Sequence, residues 1–323
     1  LTRRKFIRTT AASSVALGWL GSGQAPRVLA ATADKPALLG GPPAHQGGWV
    51  SWPQCRAAWE PKMLEVWRSR HWFRGSGTHV AEFEKGYAKL LGAKRCLATS
   101  SGTTALIVGL HALDVDAGDE VIVSPYTFSA SYNAILSLKA LPVFADTDPA
   151  TLTINPALIE SRITERTRAI MPVHIFGMPC EMEAINAIAR KHKLAVIEDA
   201  CQAWLAEYQG RKCGTLGDLG TFSFQESKHL PAGEGGAITS MSEELIDKCD
   251  SYHNCGRAVG TNQGTGCFTR GVNYRMTQAQ AVLLQLQFDK LVQETEVRRA
   301  NADYLSANPV YYTHLTLPTI YSV

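Results

Sequence analysis

The chain has no C-x-x-C pair, and its eight cysteines (Cys55, Cys96, Cys180, Cys201, Cys213, Cys249, Cys255, Cys267) have no companion histidines at ligand spacing. No metal centre is expected from such a pattern. Cys96 and Cys201 flank strand-like runs and read as small buried side chains. An excess of one charge is also missing. The formal net charge is +3, from 32 Lys and Arg against 29 Asp and Glu. Part of that lies in the first eight residues, so the body is near neutral and has no basic stripe suited to nucleic acid. Long apolar runs are absent too: the stretch Ala11–Leu20 is about half the roughly 20 residues a membrane-spanning helix needs. Stable membrane insertion is therefore not expected.

What is present suits a globular protein with a large core. The 323 residues are 45% hydrophobic, enough for one large domain or one large and one small. The amino end, "LTRRKFIRTTAASSVALGWLGSG", pairs Arg3 with Arg4 ahead of a short apolar stretch, and "PRVLAATA" then offers small residues suited to cleavage. It resembles a twin-arginine export signal over residues 1–33, with removal after about Ala30 or Ala33. Periplasmic export is the expectation, with the cytoplasm as the alternative. Residues 34–75 follow as a strap opened by "PALLGGPPAHQGGWVSWPQ", a run too rich in breakers for a regular element.

A rhythm then sets in over residues 76–255. Helical spacing in "HVAEFEKGYAKLLGA" gives way to the strand-like "RCLATS". The alternation runs on through "GTTALIVGLHAL", "DEVIVSP", "SASYNAILSL", "LPVFADTD", "RAIMPVHIFG", "EMEAINAIARKHK" and "LAVIEDA". Continuous apolar strands separated by helices predict an α/β chain: a three-layer, doubly wound, mostly parallel sheet. Two short strands, "TFSF" and "GGAITS", come later, and one long helix is predicted from Gln278 to about Leu305. The last stretch, "YYTHLTLPTIYSV", has no helical or alternating period, and residues 309–323 read as non-native read-through.

Ligands of such sheets bind at the carboxyl ends of the strands. After "RCLAT", residues Ser101, Gly102, Thr103 and Thr104 open a helix whose free N–H groups and positive dipole end suit a phosphate, although Ser-Gly-Thr is also an ordinary capping turn. After "DEVIVSP", Phe128 can lie against a planar ring or belong to the core. After "LAVI" come Glu198, Asp199 and Gln202, acids that need a positive partner or cap the next segment. Lys228 stands between the strand carrying Ser223 and a glycine-rich turn. A lysine amine in a partly desolvated place loses preference for its charged form, the condition for condensing with an aldehyde. Phosphate seat, ring stack, carboxylate for a protonated ring nitrogen and condensing lysine together describe pyridoxal 5′-phosphate.

With "WFRGSGTHVAEFE", "SSGTTAL", "SPYTFSASYNAI", "PVHIFGMPCEM", "VIEDACQA", "GTLGDLGTFSFQESKHLPAGEGG" and "GVNYRMTQAQAVLLQLQ" in view, the chain resembles the DegT/StrS-type aminotransferases of aspartate-aminotransferase fold from about Pro36 to Asn308. The resemblance implies a pyridoxal-phosphate transaminase that moves an amino group from glutamate or glutamine to a keto sugar or keto-cyclitol. In that reading Lys228 forms the internal aldimine, Asp199 pairs with the pyridine nitrogen and Gln202 lies near the ring hydroxyl. Phe128 stacks on the ring, while Gly102, Thr103, Thr104 and Ser223 hold the phosphate. A homodimer is implied, with Asn273, and less surely Arg275, reaching the partner's site. Residues 256–308 would begin a small carboxyl-terminal domain that is otherwise mostly missing. Trp204 and Leu205 stand where many members carry His-Gly, and His229 stands where asparagine is common. The wording around the lysine is closest to members acting on scyllo-inosose or aminohydroxybenzoate. A lyase or dehydratase on the same scaffold is the alternative chemistry, though the dehydratase branch replaces the lysine with histidine. A non-catalytic exported member that binds the cofactor or a sugar is the other.

Overall fold

A computed structural model describes residues 47–48, 51–259, 266–267 and 269–307. The chain divides into two units, Leu1–Val50 and Ser51–Val323, and of the first only Gly47 and Gly48 are described. The expected export signal, most of the breaker-rich run 36–54 and the terminal stretch 309–323 lie outside the described residues.

In chain order the described elements begin with helices α1 (Glu60–Ser69) and α2 (His79–Leu91), strand β1 (Arg95–Thr99), α3 (Gly102–Ala112), β2 (Glu120–Val123) and α4 (Ala130–Ser137). Next come β3 (Leu141–Phe144), the short α5 (Pro156–Ile159), β4 (Thr167–Met171), α6 (Met182–His192) and β5 (Ala195–Asp199). A two-residue hairpin, β6 (Glu207–Tyr208) with β7 (Arg211–Lys212), precedes β8 (Leu219–Ser223) and β9 (Gly236–Ser240). Helices α7 (Glu243–His253), α8 (Gln278–Gln285) and α9 (Phe288–Ala307) close the order. Apolar spacing draws α2 and α6 in particular. In α2, Val80, Phe83, Tyr87 and Leu91 recur at three- and four-residue steps and are buried.

Seven strands form one sheet in the order β1-β9-β8-β5-β4-β2-β3. The pairs β2–β3, β2–β4, β4–β5 and β5–β8 are parallel, while β9 runs antiparallel to both neighbours. The sheet is therefore mostly parallel, as the apolar strands predict.

Alternation along each strand sorts the core into layers. Leu97, Val121, Val123, Ala169, Met171, Ile197, Leu219 and Ile238 face one side, packed with Leu106 and Val108 of α3, Ile135 of α4 and Ile246 of α7. Their neighbours face the other side. Ala98, Phe222 and Ala237 meet Phe83 and Tyr87 of α2 and Leu284 of α8, whereas Ile122, Ile170 and Val196 meet Met182 and Ile185 of α6. The result is two helical layers around a sheet buried on both faces except at its edge strand β3, where Leu141 and Phe144 stay exposed.

Two details differ from the sequence-based expectation. The single long helix from Gln278 is two helices, α8 and α9. The buried Gln287 side chain donates to the carbonyls of Leu283 (2.7 Å) and Pro231 (2.8 Å), while its backbone N–H turns to Leu284. A side chain that takes the ladder's acceptor ends the helix there. The other difference falls within 34–75, where α1 is a regular helix that buries Val66.

Candidate functional site

Period-two alternation decides what the end of β5 can do. Ile197 faces the α3–α4 layer, so Glu198 faces away and Asp199 faces back. Glu198 is fully buried and saturated: the N–H groups of Gly214 (2.7 Å), Leu216 (2.6 Å) and Gly217 (2.7 Å) donate to it, as does His174 Nε2 (2.9 Å). His174 Nδ1 accepts from the Cys180 N–H, which leaves the ring proton on Nε2. Glu198 is a structural anchor.

Asp199 is only 6% exposed and less fully partnered. Ser131 Oγ of α4 donates to Oδ2 (2.7 Å), and the Cys201 N–H reaches Oδ1 (3.2 Å). Among the described residues, no cation lies within ion-pairing distance of it. A buried carboxylate is normally paired. Asp199 instead lines a cavity of about 530 Å³ with Ser101, Gly102, Thr103, Phe128, Gln202, Ser223 and Lys228.

Five loops build that cavity. β1 delivers the start of α3, where Ser101 is the N-cap: its hydroxyl accepts the Thr104 N–H and its carbonyl the Ala105 N–H. Those bonds leave the amides of Gly102 and Thr103 without an intrahelical acceptor, at the positive end of the helix dipole. Gly102 is required by close approach, since a Cβ there would lie 2.7 Å from the Cβ of Ser223. Ser223 closes β8 on the same face as Asp199, and its hydroxyl accepts only a long bond from the Gln225 N–H (3.4 Å). Phe128 leaves 68% of its surface exposed. The Gln202 side chain accepts from the Phe176 N–H at 2.8 Å.

Lys228 sits in a turn closed by its own N–H to the Gln225 carbonyl (2.9 Å). Its amine lies 5.6 Å over the Trp204 ring, and no carboxylate among the described residues is within ion-pairing distance. His229, next in the chain, is pushed down to about 4 by burial, by Arg298 and by Lys228 itself, so it stays neutral beside the lysine. Burial, then Asp199 beside it, holds the Cys201 thiol well above the usual range.

Three candidates stand apart. The Thr104 hydroxyl accepts the Ser101 N–H (2.9 Å) and donates to the Ser101 carbonyl (2.8 Å), which completes a capping box rather than lining the cavity. Asn273 bridges Asn254, and Arg275 donates to Asn254 Oδ1 (2.9 Å) under the Phe73 ring; neither lines the cavity. The reading of the sequence missed Ser131. Its signal was a hydroxyl on the apolar stripe it shares with Ala134 and Ile135.

The lining fits pyridoxal 5′-phosphate. Open amides and the space left by Gly102 suit its phosphate, Asp199 lacks among the described residues the cation that a ring nitrogen would provide, Phe128 offers an uncovered ring face, and Lys228 offers an amine that no carboxylate among the described residues pairs.

Comparison with known proteins agrees with this chemistry. The DegT/DnrJ/EryC1/StrS aminotransferase family matches residues 55–309. GDP-perosamine synthase of Caulobacter vibrioides is 41% identical over 227 residues, covering 70% of this chain and 61% of its own length. L-glutamine:2-deoxy-scyllo-inosose aminotransferase of Streptomyces paromomycinus is 36% identical over 282 residues, 83% of this chain and 66% of its own. The chain thus spans slightly less than two thirds of these relatives. The crystal structure of NtdA from Bacillus subtilis with bound cofactor PMP superposes with a TM-score of 0.75 at 30% identity, covering 86% of this chain and 65% of that one.

Proposed function

The chain belongs to the DegT/DnrJ/EryC1/StrS aminotransferase family, and from that premise we propose that it moves an amino group from glutamate or glutamine to a keto sugar or keto-cyclitol with pyridoxal 5′-phosphate. The observation that carries the proposal is the joint presence of Lys228, Asp199 and the open start of α3 around one cavity. When bound, the cofactor supplies an aldehyde for amines and a ring that accepts the electron pair left on the donor's α-carbon. The amides of Gly102 and Thr103, with the Ser223 hydroxyl, hold its phosphate. Asp199 keeps the ring nitrogen protonated, and Ser131 orients the carboxylate for that role. Phe128 would cover a ring face and Gln202 would reach the ring hydroxyl. Lys228 would hold the cofactor's aldehyde through its amine, and the same amine would serve as the general base and acid that moves the proton at the substrate's reacting carbon.

The acceptor class is supported by what the two curated relatives are named for, one a cyclitol ketone and one a nucleotide sugar. A homodimer in which Asn273, and with it Arg275, would help complete the partner's site, and export through residues 1–33, belong to the same proposal. The test is transfer of ¹⁵N from labelled glutamine or glutamate to a panel of keto sugars and keto-cyclitols, read by mass spectrometry. Labelled amine in the product supports transamination. Loss of water or of a carbon fragment without label would replace it with lyase chemistry.

A further inference from the structure

Lys228 belongs to a turn, and a turn that must present an amine needs its backbone held. Inside the turn, the Lys228 N–H reaches the Gln225 carbonyl and the Glu226 N–H reaches Gly233 (3.0 Å). The Glu226 carbonyl points outward and accepts the indole N–H of Trp52 at 3.0 Å, across 174 residues of chain. The Trp52 ring is itself gripped by α9: the Lys290 amine lies 5.4 Å from its centroid and the Arg298 guanidinium 5.7 Å. Both cations also pair with Glu294, and Lys290 donates to Gln54 at 2.7 Å. Residues 52–54 thereby tie the lysine turn to the last described helix.

We propose that Trp52 is a positioning residue for the reaction: a latch, reached from the segment preceding α1, that fixes the Lys228 turn through the Glu226 carbonyl. The ring and the N–H have separable duties. Two cations on α9 set the plane of the indole, and that plane aims its single donor at the turn. Arg298 joins the latch to the pocket beyond Trp204, because the same guanidinium that faces Trp52 helps hold His229 neutral. The chemical part of this proposal rests on the transaminase reading, while the mechanical part does not.

The experiment uses the full chain loaded with pyridoxal 5′-phosphate, as wild type, W52F and W52L. Hydrogen exchange is read at the Glu226 and Lys228 amides, and the rate of borohydride-trapped adduct at Lys228 is followed by mass spectrometry. W52F keeps a ring for the cations and loses the donor. One ordinary hydrogen bond predicts exchange about three- to ten-fold faster at those two amides, with adduct formation slowed by a similar factor and the amides of β4 and β5 unchanged. W52L should add faster exchange in the first turns of α9. Q54A, which keeps the indole and loosens only its neighbour, should give a smaller rise at the same amides. Unchanged exchange at Glu226 and Lys228 in W52F would overturn the latch. So would an equal rise throughout the sheet, which marks general destabilisation. Absence of a Lys228 adduct in the wild type would sink the cofactor reading and leave the exchange result to judge the latch alone.

Discussion

Glu198 and Asp199 are consecutive acids on one strand, both buried, and they have opposite fates. Glu198 turns toward the loop after β7, where three backbone N–H groups and one imidazole fill its oxygens. Asp199 turns toward α4, receives one hydroxyl and one amide, and keeps a side open to the cavity. Burial alone therefore does not mark a reactive acid. The distinguishing feature is an incomplete set of partners, with the missing one a cation.

The contrast can be broken in several ways. The largest effect should come from the open side: Lys228→Ala removes the borohydride-trapped adduct at position 228 and lowers transfer by about 10²–10⁴ or more, with thermal stability nearly unchanged. Next, the two acids can be exchanged for their amides. Asp199→Asn should lower kcat/KM by about 10²–10³ with little change in urea unfolding. Glu198→Gln should do the reverse, since an amide leaves at least one buried donor unpaired and lowers stability by about 1–3 kcal/mol. If Glu198→Gln lost activity while remaining as stable as wild type, the division between the faces would be wrong.

Acid sharpens the comparison by another route. Burial and nearby arginines depress His229 to about 4 and His253 to about 3. Both histidines take up protons more readily when unfolded, so their contribution to stability is intact above roughly pH 6.5 and lost as pH falls toward those values. His229 alone accounts for at most roughly 3 kcal/mol of that loss. Thermal midpoints between pH 7 and 4 should fall, less steeply in His229→Asn. The smallest effect should come from Ser131→Ala, which removes one donor to Asp199: about a three- to ten-fold loss in kcat with KM nearly constant.

Much of this was legible in the sequence because burial on both faces leaves a plain mark. Runs such as "LAVI" and "VIV", short and bounded by turn residues, read as inner strands, and a parallel sheet places functional residues at known strand ends. Lys228, Asp199, Gly102, Thr103, Phe128, Gln202 and Ser223 line one cavity. Thr104 was harder to place, because a threonine three residues after a capping serine serves a cap and a phosphate equally well in one dimension. The break between α8 and α9 was invisible, since it depends on Gln287 reaching Pro231, a contact that only tertiary structure supplies. Trp52 was hidden for the same reason.

At Gly102 the cavity is bounded by bare main chain. Beside Gly102, Gly236 leaves room for nothing, since a single added carbon there would sit 2.2 Å from the Ser101 carbonyl oxygen. Neither glycine can take a side chain unless its neighbour moves. Any change in the pocket's shape must therefore come from side chains that project beyond the backbone, such as the exposed Phe128.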